Sequence, residues 1–349
     1  MNTPKTDVRN TILEFIREHP LCSSSEIHHG AVPELGYATV KRVLQKLLAE
    51  KKIVASGNRK STKYELGKLY QLSYPVNVEH YFSKEMDERK IKPRFDHSLI
   101  PDLLSHVSLF TNEEKKQLSV LHKEFRKKIM HRSKTVIRKE MERLAIDLSW
   151  KSSQIEGNTY TLLETERLLK EKQTASGKTR EEADMLLNHK AALDFILAHK
   201  DYVRPLRVRA IEDVHSILVK DLDVGRNMRR YGVGISGTNY RPLDNEFQIK
   251  EAMTAMCKLI NAKEDPLEKA LLVLLLISYI QPFEDGNKRT ARIVSNAILL
   301  DHGYCPLSFR TADSTDYKKT MLVFYEQNNT DAFKKLFIGQ VEFAVKNYF

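Results

Sequence analysis

The sequence predicts a mostly α-helical protein, with a small N-terminal module ahead of a larger helical domain. Apolar residues recur at helical spacing in the run from Val40 to Leu48. The stretch from Ala270 to Ile280 is apolar on all sides, as expected of a helix buried at the centre of a domain. Two stretches, Ser23 to Glu26 and Thr161 to Glu164, have the spacing of a helix capping box.

The composition restricts the class of protein and its partners. The chain has 349 residues, which is long for one domain, and its formal net charge is +11. This charge favours polyanion partners or anionic ligands, and a basic surface with no specific partner is the alternative. The three cysteines, Cys22, Cys257 and Cys305, are far apart in the sequence and fit a reducing cytoplasm. The longest apolar run is short of the ~20 residues of a membrane helix, so we expect a cytoplasmic protein.

Residues 1–68 predict three helices and a hairpin. Val8, Ile12 and Ile16 form an apolar stripe, the capping box at Ser23 begins a second helix, and a third follows Gly36. Two strand-like runs, 53–55 and 62–66, flank a basic turn at residues 57–60.

This order of elements is that of a winged helix-turn-helix, and it predicts DNA binding. The segment holds twelve Lys and Arg against seven Asp and Glu, a net charge of +5. The third helix would enter a major groove and the wing would contact phosphates. The candidate residues are Tyr37, Thr39, Lys41, Arg42 and Lys46 on the helix, with Arg59 and Lys60 on the wing. The alternative is a module used for dimerisation or for protein contacts.

Residues 69–135 predict a charge-rich helical connector that packs on the domain formed by residues 136–349. Within that domain, residues 144–157 predict a largely buried helix that ends near Gly157. Glu156 therefore falls in the last turn, where the negative end of the helix dipole opposes a carboxylate. A buried glutamate in this place needs a cation, whereas an exposed one would simply face water.

The stretch from Tyr279 to Arg292, YIQPFEDGNKRTAR, predicts an anion site between two buried helices. Pro282 marks a helix end, and the turn around Gly286 leads into the next helix, whose first amides would bind an anion. Arg289 and Arg292 share one helix face and can clamp phosphate oxygens. Asp285 can hold Mg²⁺, the usual companion of a triphosphate. The alternative is a capped helix that carries surface arginines.

The same stretch resembles the signature of Fic (Fido) domain proteins, His-Pro-Phe-x-Asp/Glu-Gly-Asn-Gly/Lys-Arg-x-x-Arg. The matching residues are Pro282, Phe283, Asp285, Gly286, Asn287, Arg289 and Arg292. Residues 152–157, SSQIEG, resemble the family's inhibitory motif, and residues 229–242 resemble its flap. The resemblance covers roughly residues 90–340. It implies a Fic-type helical bundle with a small β-hairpin flap, and transfer of AMP from ATP to a Tyr, Thr or Ser hydroxyl of a target protein. A homodimer is implied by this resemblance alone.

The resemblance also implies roles for individual residues. Asp285 would hold Mg²⁺ between the α- and β-phosphates. Arg292 would take the γ-phosphate or else pair with Glu156, and that pairing would act as a brake. Residues implied in nucleotide binding are Gly286, Asn287, Lys288, Arg289 and Ser152, and those implied in target binding are Ile235, Ser236, Gly237 and Thr238.

Gln281 stands where the family has its catalytic histidine. A glutamine can donate or accept a hydrogen bond but cannot take the proton of an attacking hydroxyl. A well-placed base is worth roughly 10²–10⁴ in rate, so we expect a severely weakened enzyme. The chain would be a natural pseudo-enzyme, a variant of an active protein, or an enzyme whose base is another group such as His302 or His215. In the remaining reading, Gln281 is only a polar residue at a helix end.

Lys288 is a second departure, since glycine is commoner there. Lysine at this position is typical of the Doc branch, which phosphorylates proteins, but Arg292 and the Gly286-Asn287 pair favour adenylyl transfer. A nucleotide-sensing DNA-binding regulator without catalysis is the non-enzymatic alternative.

Overall fold

A computed structural model describes residues 7–349 of the chain, except for the side chain of Lys60. The chain divides into two compact units, Met1–Tyr74 and Pro75–Phe349. The division lies six residues beyond the end predicted for the N-terminal module. None of the helices in the described part of the chain is long and apolar enough to cross a membrane.

The first unit has the predicted order of three helices followed by two strands. Its elements are α1 (Val8–Glu18), α2 (Ser24–Ala31), α3 (Tyr37–Ala49), β1 (Ile53–Ser56), β2 (Lys63–Leu66) and the short α4 (Lys68–Gln71). The strands pair antiparallel, with Ile53 opposite Leu66. The predicted capping box at Ser23 is present, because Ser23 Oγ accepts from the Glu26 amide and the Glu26 carboxylate accepts from the Ser23 amide. A small core of isoleucine, leucine and valine side chains joins the helices to β1.

The second unit is helical throughout its regular structure. Its helices are α5 (Val78–Phe82), α6 (Asn112–Met130), α7 (Lys134–Ile155), α8 (Leu162–Glu171), α9 (Arg180–Ala198), α10 (Val208–Leu218), α11 (Glu246–Ala262), α12 (Pro266–Ile280), α13 (Asn287–Asp301), α14 (Ser314–Gln327) and α15 (Asp331–Asn347). A π-helical turn, Leu99–Leu103, precedes α6. The charged run at residues 123–139 is divided between α6 and α7, and Ser133 caps the start of α7.

Helices α12 and α13 form the centre of this unit. Every residue from Ala270 to Ile280 is buried, as the apolar run predicts. Helix α13 packs along α12 and also contacts α7, α9 and α10. It buries more polar side chains than α12 does, among them Arg289, Thr290, Arg292 and Asn296. Burial of charged groups costs free energy unless partners compensate them. The start of α13 is therefore the candidate functional site.

The flap differs from its expected form. Residues 229–242 contain turns and extended backbone instead of a β-hairpin, and β1 and β2 are the two strands within residues 7–349. A single bridge pairs Arg241 with Arg94 of the connector. Three glycines and a proline in this stretch weaken the cross-strand pairing that a hairpin needs. The flap backbone bonds to the connector instead, since the Arg241 amide donates to Pro93 O at 2.9 Å.

Candidate active site

The loop between α12 and α13 is built around two residues with left-handed backbone. Gln281 caps the C-terminus of α12 with φ of 51°, and Gly286 precedes α13 with φ of 79°. Glycine adopts this conformation at no steric cost, and a Cβ at Gly286 would lie 3.3 Å from Val219. Because Gly286 offers no side chain, the first amides of α13 receive no cap from it. The predicted turn and helix start are therefore present where the sequence placed them.

Asn287 braces this loop from inside. Its Oδ1 accepts from the Phe283 amide at 2.9 Å, and its Nδ2 donates to Phe283 O at 2.8 Å and to Gln281 Oε1 at 2.9 Å. These bonds engage both polar atoms of the buried side chain. A contact between Asn287 and phosphate stays a prediction, and the observed role of its amide is to fix the loop.

Gln281 is held on every side by hydrogen bonds. Its side-chain Nε2 donates to Ser278 O at 2.7 Å, and its backbone carbonyl accepts from Arg229 Nε at 2.6 Å. Arg229 also donates to Ile280 O at 3.3 Å, and its amide donates to Pro282 O at 3.0 Å. The guanidinium thus occupies the carbonyl end of α12, where the helix dipole favours a cation. Sequence analysis placed Arg229 in the flap but gave its side chain no role, because its partners on α12 are backbone atoms some 50 residues away.

Arg289 and Arg292 are almost fully buried, at 1% and 0% exposure. Arg289 Nη2 donates to Asp285 Oδ2 at 2.6 Å, whereas its Nε and Nη1 have no hydrogen-bond partner among the described residues. Buried N–H groups without acceptors are costly, and either water or a bound anion can supply the missing acceptor. The carboxyl of Asp285 is 60% exposed.

Arg292 is anchored to α7 by three hydrogen bonds. Its Nε donates to Ser152 Oγ at 2.8 Å, and its Nη2 donates to Ser152 O at 2.9 Å and to Glu156 Oε1 at 2.8 Å. Its guanidinium carbon lies 5.2 Å from the centre of the buried Tyr317 ring. The cation that Glu156 was expected to need is therefore Arg292, on the facing helix.

Glu156 has a second cationic partner that sequence analysis missed. Lys288 Nζ donates to Glu156 Oε2 at 3.0 Å. Burial by itself would raise the pKa of Glu156, but the charges of Arg292 and Lys288 and their hydrogen bonds lower it to about 2. Glu156 is therefore ionised throughout the physiological range. Its carboxylate links the end of α7 to Lys288 and Arg292 of α13.

The two histidines considered as substitute bases both make contacts within the fold. His215 stacks on Phe283 with ring centres 3.7 Å apart, and its two nitrogens lie within 3.2 Å of the carbonyls of Arg226 and Asp285. Burial lowers the pKa of His215. His302 caps the far end of α13, about 20 Å from the loop at 1.5 Å per residue. A role for either histidine as a substitute base stays a prediction.

The residues predicted to contact a target line the flap beside the connector. Ser236 and Gly237 are exposed, Ile235 is half-buried and Thr238 is buried. Arg89 of the connector donates to Gly237 O at 2.6 Å, which fixes the backbone at the turn of the flap. Contact of these four residues with a target stays a prediction.

In the first unit, the polar face of α3 is open. The candidate DNA contacts on this helix are all exposed, namely Tyr37, Thr39, Lys41, Arg42 and Lys46, and Arg59 of the turn is exposed as well. Lys41 Nζ lies 4.9 Å from the centre of the Tyr37 ring. Lys60, the other predicted wing contact, has a side chain outside the described residues. The winged-helix assignment and DNA binding both stay predictions.

Comparison with known proteins identifies part of the second unit. Residues 205–299 match the sequence model of the Fic/DOC family. These residues form a Fic/DOC domain. The chain is 31% identical over 180 residues to a protein adenylyltransferase Fic of Nematostella vectensis, and 26% identical over 203 residues to one of Drosophila virilis. The matches cover 48% and 56% of this chain but only 40% and 41% of those relatives, so the chain spans about two fifths of their length.

Solved structures agree on the fold of the Fic domain. Fic-1 of C. elegans (residues 134–508) superposes with a TM-score of 0.60 at 21% identity, covering 68% of this chain and 72% of that one. A Fic domain-containing signalling protein of Bacteroides thetaiotaomicron gives a TM-score of 0.57 at 20% identity, covering 66% of this chain and 94% of that one. The mostly helical Fic fold predicted from the sequence is thereby confirmed.

Proposed function

We propose that this chain is a Fic-type protein adenylyltransferase scaffold, which transfers AMP from ATP to a Tyr, Thr or Ser hydroxyl of a target protein. The observation that carries the proposal is the buried Arg289, whose two unpartnered nitrogens, Nε and Nη1, lie at the start of α13. A phosphate oxygen is the acceptor that such a group favours. The adenylyltransferase names of the curated relatives support the same chemistry.

The residues around the loop fit ATP and Mg²⁺. Arg289 and the first amides of α13 would hold phosphate oxygens, and Asp285 would offer one accessible carboxylate to the metal. No group of three His, Cys, Asp or Glu within residues 7–349 could hold a metal by itself. This agrees with Mg²⁺ held by one carboxylate, phosphate oxygens and water. When bound, the metal would neutralise part of the charge on the phosphates.

Glu156 acts as a built-in brake in this proposal. Its carboxylate is paired with Arg292, the residue assigned to the γ-phosphate. The low pKa of Glu156 keeps this carboxylate charged near neutral pH. Two anions cannot share one buried guanidinium without repulsion. Productive binding of ATP therefore requires Glu156 to leave, and removal of the carboxylate should tighten ATP binding.

Gln281 limits the transfer step. A histidine at residue 281 could donate from Nδ1 to Ser278 O, as Gln281 Nε2 does now, and leave Nε2 free to accept a proton. Glutamine satisfies the same carbonyl but supplies no base. We therefore expect the chain to bind ATP through the loop while transferring AMP slowly.

The test is transfer of label from α-labelled ATP to protein, including the chain itself, by the full-length protein. Glu156→Gly should raise ATP affinity at least tenfold, and Gln281→His added to it should raise transfer by about 10²–10⁴. Gln281→Ala is the matched control and should restore nothing. Unchanged ATP affinity in Glu156→Gly contradicts the brake. Label that moves from γ-labelled ATP instead identifies phosphoryl transfer of the Doc type.

A second candidate function is DNA binding by the first unit, and the exposed cationic face of α3 favours it. Binding of duplex DNA, followed by fluorescence anisotropy, should weaken steeply as salt rises. Replacing both Lys41 and Arg42 by Gln should weaken binding at least tenfold. Arg17→Gln on α1, where Arg17 pairs with acidic neighbours, is the control. Binding that is insensitive to the paired change on α3 assigns the module to protein contacts instead.

A further inference from the structure

The Glu156 carboxylate is held by two cations, one on each oxygen. Arg292 Nη2 lies 2.8 Å from Oε1, and Lys288 Nζ lies 3.0 Å from Oε2. Lys288 and Arg292 are four residues apart on α13, so they project from one face of the helix. Both side chains therefore point at a single anion position.

The two cations differ in what holds them in place. Arg292 is fixed by Ser152 Oγ and Ser152 O whether or not Glu156 is present. For Lys288 Nζ, Glu156 supplies the hydrogen-bond acceptor within the described part of the chain. Lys288 is also the more exposed of the two, at 24% against 0%. Once Glu156 leaves, the flexible lysine is free to follow the next anion, while the arginine stays.

We propose that Lys288 and Arg292 form one clamp with two alternative occupants, the Glu156 carboxylate and the terminal phosphate of ATP. Two positive charges face the single negative charge of the carboxylate, and the terminal phosphate would match them more fully. Lys288 is thus part of the brake when Glu156 is in place and a phosphate ligand when it is not. This inference rests on the proposed function and adds the residue that links its two states.

The clamp predicts that one substitution has different effects in two backgrounds. With Glu156 present, Lys288→Met loosens the brake and removes a phosphate ligand, so the two effects on ATP affinity oppose each other. With Glu156→Gly, only the loss of the ligand remains, and ATP affinity should fall about tenfold, which is about 1.4 kcal/mol. The effect of Lys288→Met should therefore differ at least fivefold between the backgrounds.

Isothermal titration of ATP and Mg²⁺ measures this difference in four full-length proteins. They are the parent chain, Lys288→Met, Glu156→Gly and the double variant. Lys170→Met is the matched control, since Lys170 pairs with Glu166 on the exposed surface of α8 and should alter ATP affinity in neither background. An equal effect of Lys288→Met in both backgrounds overturns the shared clamp. Absence of ATP binding in all four proteins contradicts the proposed function itself.

A measurement without nucleotide separates these two failures. Trp150, the single tryptophan, lies on α7 six residues before Glu156, so its fluorescence reports urea unfolding of this unit. Lys288→Met should lower the urea midpoint when Glu156 is present and leave it nearly unchanged when residue 156 is glycine. Equal shifts in both backgrounds would show that Lys288 does not hold Glu156, and would overturn the inference whatever the ATP titration gives.

Discussion

Replacing Glu156 by Gln should destabilise the second unit by about 3 kcal/mol at neutral pH. The pKa of Glu156 is about 2 in the folded chain, against an ordinary value of 4.5. Each unit of difference is worth about 1.4 kcal/mol of folding free energy. The loss arises because the fully buried Arg292 would keep its charge without a carboxylate partner.

The pH dependence of this loss has a definite sign. Because folding lowers the pKa of Glu156, its stabilisation is complete above pH of about 4.5 and disappears as the pH falls through about 2. The difference between the parent chain and Glu156→Gln should therefore fall to about half its neutral value near pH 3. The glutamine variant itself should lack this part of the pH dependence.

Urea unfolding of the full-length chain, followed by Trp150 fluorescence at pH 7 and near pH 3, measures both quantities. Trp150 is well placed as a reporter, since its indole N–H donates to Tyr160 O at 3.0 Å within the same unit. Glu166→Gln removes an exposed carboxylate from an ion pair four residues apart and should cost no more than ~0.5 kcal/mol. A Glu156→Gln variant within ~1 kcal/mol of the parent at pH 7, or a difference that is the same at both pH values, refutes the reasoning.

Three further substitutions test the other contacts of the site. Arg229→Met should lower the free energy of unfolding in urea by about 2–4 kcal/mol, because it removes the side chain that donates to the carbonyls at the end of α12. A loss below ~1 kcal/mol contradicts this role. Asp285→Asn should abolish the Mg²⁺ dependence of ATP affinity in titration calorimetry, because it removes the carboxylate assigned to the metal. A retained dependence places the metal elsewhere. Ser152→Ala should cost about 1–2 kcal/mol in urea unfolding, because Arg292 Nε loses its acceptor; an unchanged midpoint shows that water replaces the hydroxyl.

Local patterns predicted the parts of the fold that depend on local physics. The periodic apolar residues of α3, the apolar run of α12 and the capping boxes each depend on residues within one or two turns, and the structure has them where the sequence indicates. The prediction of a β-hairpin in the flap was wrong for the opposite reason. Its backbone is held by Arg89 and by the Pro93 carbonyl, contacts that span about 150 residues and leave no local periodicity.

The site shows the same division between local and distant information. Arg292 could be paired with Glu156 in advance only because a family resemblance joined two motifs 136 residues apart. Lys288 carries no such signal, since a lysine in the first turn of a helix usually faces water, and its side chain turns to Glu156 only because α7 ends there. A brake held by Arg292 alone would need one ion pair to break before ATP enters. A brake held from both oxygens would have to lose two, so in the proposed mechanism the charge at residue 288 would set how tightly the domain is restrained.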